Sequence, residues 1–197
     1  MFKPVVFCAA ATAAALATSP VRADAPCYDF RDQVPETVYA VNATVPIGIG
    51  EVRVRPLRLD GAEVSPGNRF FVVKDQHIAG AAAPEMYGKN VAVQVLPKQA
   101  VDTITLKYSH QPGADGARAA MVEVNGVRHE WQGSLHKLDG RLVGSGAHPA
   151  RFEVRQPNSN GENGWISGEL KLSSRDGIRS FTIGAAELRL DDVCFAH

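Results

Sequence analysis

The sequence predicts an all-β domain, an antiparallel sandwich of two sheets with jelly-roll topology, its two ends adjacent and disulfide-linked. Three observations predict it. From Val38 onward apolar and polar residues alternate at period two, in short runs broken by Gly, Pro, Asn and Asp. No window of more than about ten residues keeps a 3.6-residue apolar stripe. The cysteines beyond the N-terminal apolar run, Cys27 and Cys194, stand near opposite ends of the chain, and a jelly roll makes its ends neighbouring strands.

Each strand is read from its alternation. Val52 and Val54 point one way, Arg53 and Arg55 the other. Val91, Val93 and Val95 form a second inward set, and Ile104, Leu106 and Tyr108 alternate with Thr103, Thr105 and Lys107. Phe152 and Val154 lie among Arg151, Glu153 and Arg155, while Ile166, Leu170 and Leu172 oppose Ser167, Glu169 and Lys171. Only the stretch from Ala79 to Tyr87 has room for a helical turn. The clearest local signal is Asn125-Gly126, a pair that tolerates the positive φ angles of a two-residue hairpin turn. Such a turn sets Val124 opposite Val127, Val122 opposite His129 and Ala120 opposite Trp131 on one face, with Glu123 opposite Arg128 on the other. Trp131 is therefore read as a core residue.

The N-terminus has the form of a secretory signal peptide over residues 1–23: Lys3, an apolar run from Val5 to Ala17, then Val21-Arg22-Ala23 as the cleavage signal. That apolar run is too short to span a bilayer, which takes about 20 residues; a retained N-terminal anchor is the alternative. Residues 24–197 then form a single domain, exported to the periplasm or beyond the cell, with no transmembrane segment in the mature chain. The chain holds 21 basic and 21 acidic residues. Loss of Lys3 and Arg22 leaves 19 basic residues against 21 acidic, a formal charge of −2. With its arginines scattered, the chain offers no concentrated basic surface for nucleic acid or anionic lipid. In an oxidising compartment Cys27 and Cys194 are expected to pair; two free thiols or an intermolecular bridge are the alternatives.

The opening CYDFRDQVPETVY and the closing AAELRLDDVCF resemble the terminal signatures of an uncharacterised secreted bacterial β-sandwich family, which starts near Cys-x-Asp-Phe-Glu-Asp and ends near Glu-Leu-x-Ile-Asp-Asp-Val-Cys. The stretches KDQHIAGAAAPEMYGKNVAVQV and VEVNGVRHEWQGSLHKLDG are similar to that family as well. More distantly, the ends resemble carbohydrate-binding modules and other galactose-binding-like jelly rolls, in which such acidic residues often hold a structural calcium. The resemblance implies a fold, an exported location and a metal; it implies no activity.

If Cys27 lies opposite Cys194 on antiparallel strands, Asp29 faces Asp192, and two facing carboxylates need a bound cation, a neighbouring arginine or a protonated carboxyl. Calcium, which takes six to eight oxygen ligands, would draw on Asp29, Asp32, Asp191 and Asp192. Arg31, which stands where relatives carry glutamate, is the competing neutraliser.

Trp165 is the candidate ligand contact. It lies on the polar side of its strand with Ser167 and Glu169, just after an Asn- and Gly-rich loop, where an exposed indole can stack on a sugar ring; burial under a loop is the alternative. Glu169 and Tyr87 complete the candidate ligand set, and for Tyr87 packing is the alternative. The six histidines show no ligand spacing for a transition metal, and His129 is read as a core residue. No nucleophile elbow, His-Glu-x-x-His, Cys-x-x-Cys or phosphate-binding glycine loop is present. Three functions follow in order: a secreted non-catalytic module binding an envelope or extracellular glycan; a structural or protein-interaction component of the envelope or matrix; and a small secreted hydrolase or lyase built from dispersed residues.

Overall fold

Period-two patterning becomes strand throughout the computed structural model, which describes residues 26–64, 69–74, 77–78, 84–111, 119–158 and 164–197. The expected signal peptide and residues 79–83 of the expected helical turn lie outside the described residues; Glu85 to Tyr87 belong to a strand. In chain order the strands are β1 (Cys27–Tyr28), β2 (Val38–Tyr39), β3 (Thr44–Pro46), β4 (Gly50–Pro56), β5 (Arg58–Leu59), β6 (Ala62–Glu63), β7 (Arg69–Val73), β8 (Glu85–Pro97), β9 (Val101–His110), β10 (Ala119–Val124), β11 (Val127–Gln132), β12 (Leu142–Val143), β13 (Ala150–Asn158), β14 (Ile166–Ile178) and β15 (Phe181–Ala196). A short 3-10 helix, Leu135–Leu138, follows β11. Among the described residues no helix is long and apolar enough to cross a membrane.

Thirteen of these strands belong to one antiparallel sheet, and β5 and β6 form a separate hairpin. The sheet makes two layers because its longest strands serve both. β8 and β15 pair from Phe181↔Val95 to Leu190↔Met86. Along the first part of β15 the flanking strands are β10 and β4; along the second they are β9 and β7. The first layer thus runs β11-β10-β15-β8-β4-β3, and the second β12-β13-β14-β9-β15-β8-β7-β2.

The fold-over is visible in which residues are buried. Val91, Val93 and Val95 of β8 and Phe181, Ile183 and Ala185 of β15 join the core from the first layer; Met86, Leu188 and Leu190 join it from the second. Both strands change phase at one level, between the pairs Ala185↔Val91 and Glu187↔Lys89. Asn90 sits there at φ 52, a left-handed conformation that Asn accepts more readily than most residues. A change of phase turns the inward face to the opposite side, as a bulge does. Residues of both layers form a single apolar cluster. The expected sandwich is therefore present, with its two layers continuous through β8 and β15.

The ends meet as expected. Cys27 pairs with Cys194 and Tyr28 with Val193, and the sulfurs are bonded at 2.05 Å. Every expected pair of the 119–132 hairpin is found, including Glu123↔Arg128. Its turn has Asn125 at φ 50 and Gly126 at φ 85. Trp131 packs half-buried against the core, and its Nε1 donates to the Ser134 carbonyl at 3.2 Å.

Candidate functional site

The terminal aspartates do not converge on one point. Asp29 Oδ2 lies 2.6 Å from Arg31 Nε, and Asp192 Oδ2 lies 2.5 Å from Lys107 Nζ. Asp32 accepts a hydrogen bond from the Tyr28 hydroxyl, which holds its carboxyl below the usual range. The same pairing, after partial burial, raises the Tyr28 phenol to about 12. Asp191 is fully buried and, among the described residues, neither carboxylate oxygen has a hydrogen-bond partner. Burial pushes its pKa up to about 7; the adjacent Asp192 backbone N–H opposes the rise, while the charges of Asp192, Glu85 and Asp29 add to it. Among the described residues no group of three or more His, Cys, Asp or Glu is arranged to hold a metal ion. The four expected calcium ligands are therefore not drawn together around one point in this arrangement. A lysine that sequence reasoning did not consider neutralises Asp192, and Arg31 neutralises Asp29.

The expected ligand contacts are divided. Trp165 is buried, at 8 % exposure, and not the exposed platform its strand position suggested. Its alternation is as read, but other residues cover it. His77 packs against the indole with ring centroids 5.8 Å apart, and the Ser167 hydroxyl donates to the His77 carbonyl at 2.7 Å. Glu85, fully buried, accepts from the backbone N–H groups of His77 and Ile78, each at 2.8 Å, and so clamps this segment to the sheet. Tyr87 does approach Trp165, with ring centroids 6.0 Å apart, but both rings pack on the Arg189 guanidinium, at 5.1 and 5.2 Å. Arg189 in turn pairs with Glu85 at 3.2 Å. The aromatic pair thus encloses a side chain of the protein itself. Glu169 stands apart, half-buried near Arg155 at 4.0 Å.

A different concavity lies on the outer face of the first layer. The β5–β6 hairpin closes over this face through a small apolar cluster in which Leu57, Ala92 and Met121 are buried and Leu59 and Val64 pack against them. Its turn is Asp60-Gly61, at φ 50 and 78. The Asp60 backbone N–H donates to Glu130 Oε2 at 2.9 Å, which ties the turn to β11. Gly184 permits the close approach: a Cβ there would lie 2.8 Å from Leu57 Cδ1 and 2.9 Å from Ala92 Cβ.

Beside this hairpin is a pocket of about 490 Å³. One rung of the sheet supplies its polar wall, with Gln94 paired to Thr182, Thr182 to Glu123 and Glu123 to Arg128 across four strands. The adjacent rung supplies an apolar floor next to Arg55, which pairs with Ala92, Ala92 with Gly184 and Gly184 with Met121. Asn42, Arg58 and Glu63 also line the pocket. Planar amide, carboxylate and guanidinium groups beside a small apolar floor suit a ligand that presents many hydroxyls over a hydrocarbon frame. Sequence reading placed Arg55 outward but passed over the Asp60-Gly61 turn, the signal that builds this pocket.

No family model matches the chain, and no curated protein matches it in sequence. Among solved structures, a cleaved adhesin domain of Lys-gingipain is similar at 15 % identity, over 88 % of this chain and 98 % of that one, with a TM-score of 0.36. At that distance the likeness carries no functional inference.

Proposed function

We propose that the chain is an exported, non-catalytic binding module for an envelope or extracellular glycan, with the pocket beside the β5–β6 hairpin as its ligand site. The observation that supports this reading is the continuous rung of Gln94, Thr182, Glu123 and Arg128 facing one concavity with a floor of Ala92 and Met121. Vicinal hydroxyls of a sugar match the paired donors and acceptors of such planar side chains, and the ring C–H groups match the floor. The Cys27–Cys194 bridge fits an oxidising, extracytoplasmic location.

Binding to a broad glycan array, repeated with Glu123→Gln and Gln94→Ala, tests the proposal. Retention of specific glycans that weakens in both variants supports it. No retention, with an envelope protein recovered by pull-down, would favour the structural or protein-interaction role. Glu63 and Glu123 both line the pocket, so the same incubations are assayed for released sugar, and turnover would favour the hydrolase reading.

A further inference from the structure

We propose that the bound glycan is acidic and that Arg55 anchors its carboxylate; this rests on the glycan-binding reading above. Three arginines and two glutamates line the pocket: Arg55, Arg58 and Arg128 against Glu63 and Glu123. Arg58 has Glu63 directly opposite it across the β5–β6 hairpin. Arg128 has Glu123 opposite it across the β10–β11 hairpin, and its Nε also lies 2.8 Å from Glu130 Oε1. Arg55 is different. Its cross-strand partner is Ala92, so that no carboxylate stands opposite it there, and among the described residues neither it nor Arg58 closes an ion pair.

The one lining arginine with no carboxylate opposite it therefore stands at a defined place. Arg55 is exposed at the edge of the floor made by Ala92 and Met121, with Asn42 beside it in the lining. Arg53, its neighbour two residues back on the same face, is already paired with Glu51 at 2.7 Å and does not compete for an anion. A free guanidinium presents a planar fork that matches a carboxylate bidentately, and it is always charged. A sugar ring on the floor would direct its carboxylate to Arg55 and its hydroxyls to the Gln94–Thr182–Glu123 rung. One guanidinium without an opposing carboxylate matches one uronate residue, whereas Glu63 and Glu123 would repel a densely charged polyanion.

The experiment is calorimetric titration of the wild type, Arg55→Gln and Glu123→Gln with a panel of uronate oligosaccharides and their carboxyl-reduced counterparts. The wild type is expected to bind an acidic form at least about tenfold more tightly than its reduced form, the size of a charge-assisted hydrogen bond. Arg55→Gln is expected to remove that preference and leave the weaker binding of the reduced form, while Glu123→Gln weakens binding of both. Added salt is expected to weaken only the acidic form. Equal affinity for the two forms, or a preference that survives in Arg55→Gln, overturns the proposal. Binding of neutral glycans alone overturns it and leaves the glycan reading standing, and binding of no glycan overturns both. Folding of Arg55→Gln is verified by its thermal melt.

Discussion

Lys107 is the cross-strand partner of Asp191, yet its ammonium lies 2.5 Å from the carboxylate of Asp192. The cause is local. Asp192 takes φ 48, and the β15–β9 register shifts between Asp191 and Cys194, so that a bulge brings the second aspartate to the lysine. Of the four carboxylates at this seam, Asp29 has Arg31, Asp192 has Lys107 and Glu85 has Arg189. Asp191 has none.

The stability that Asp191 contributes should therefore fall as pH rises from about 4 to about 7, against the opposite slope of buried His110, whose pKa is lowered by burial to about 4. Burial raises the Asp191 pKa from 3.8 to about 7, so its contribution is fully present below the unfolded value and lost as pH rises through the folded one. Asp191→Asn, which imitates the protonated side chain, is expected to remove this downward contribution between pH ~4 and ~7 and to add on the order of 2–4 kcal/mol at pH ~8. Denaturant melts across that range check it, and an unchanged slope would count against the assignment.

Loss of Glu85 should be severe. The side chain holds two backbone N–H groups and the buried Arg189 at once. Glu85→Ala leaves that guanidinium without its carboxylate, an expected cost of about 3–5 kcal/mol. Because His77 then loses its clamp over the indole, Trp165 fluorescence should shift to the red in the folded variant; an unmoved emission maximum would argue that another contact holds the cover.

Crowding at Gly184 should reach the pocket without dismantling the core. Gly184→Val places branched carbon atoms against Leu57 and Ala92, whose nearest atoms already stand 2.8 and 2.9 Å from a Cβ at this position. The expected cost is about 1–3 kcal/mol. Displacement of the β5–β6 hairpin should also lower glycan affinity while the far-ultraviolet dichroism stays that of a sheet. Wild-type affinity in this variant would show that the hairpin does not shape the site.

Asn125 allows a turn preference to be separated from a tie. Its Oδ1 accepts from the backbone N–H groups of Arg179 at 2.8 Å and Ser180 at 3.1 Å, and its Nδ2 donates to the Gly177 carbonyl at 2.9 Å. Asn125→Gly keeps the positive φ and loses these bonds, an expected cost of about 1–3 kcal/mol. Asn125→Ala should cost about 1 kcal/mol more, for the left-handed backbone. Equal stabilities in chemical denaturation would contradict that division.

Much of the fold was legible because strand faces and hairpin registers are local. Asn125-Gly126 is enough to pair Val122 with His129 and Glu123 with Arg128, and a jelly-roll expectation was enough to bring Cys27 to Cys194. The site was less legible, for reasons of sequence distance. Trp165 points to the face its alternation indicated, but its cover depends on Glu85, eighty residues earlier in the chain. The Asp60-Gly61 turn carries the same signal as Asn125-Gly126, yet nothing adjacent in sequence reveals that its hairpin lies over Ala92 and Gly184. The bulge at Asp192 is likewise invisible to a period-two reading, which assumes an unbroken ladder.

The Cys27–Cys194 bridge also governs how the molecule meets tension. The two cysteines are partners on adjacent strands, and the chain between them returns to its starting point. Once Phe195 and Ala196 have parted from β9, a pull applied to the segments flanking them passes from one backbone to the other through a covalent bond and leaves the sandwich between them outside the line of force. For a module anchored through one flank and loaded through the other, the pocket beside β5 and β6 would keep its shape while the attachment is strained.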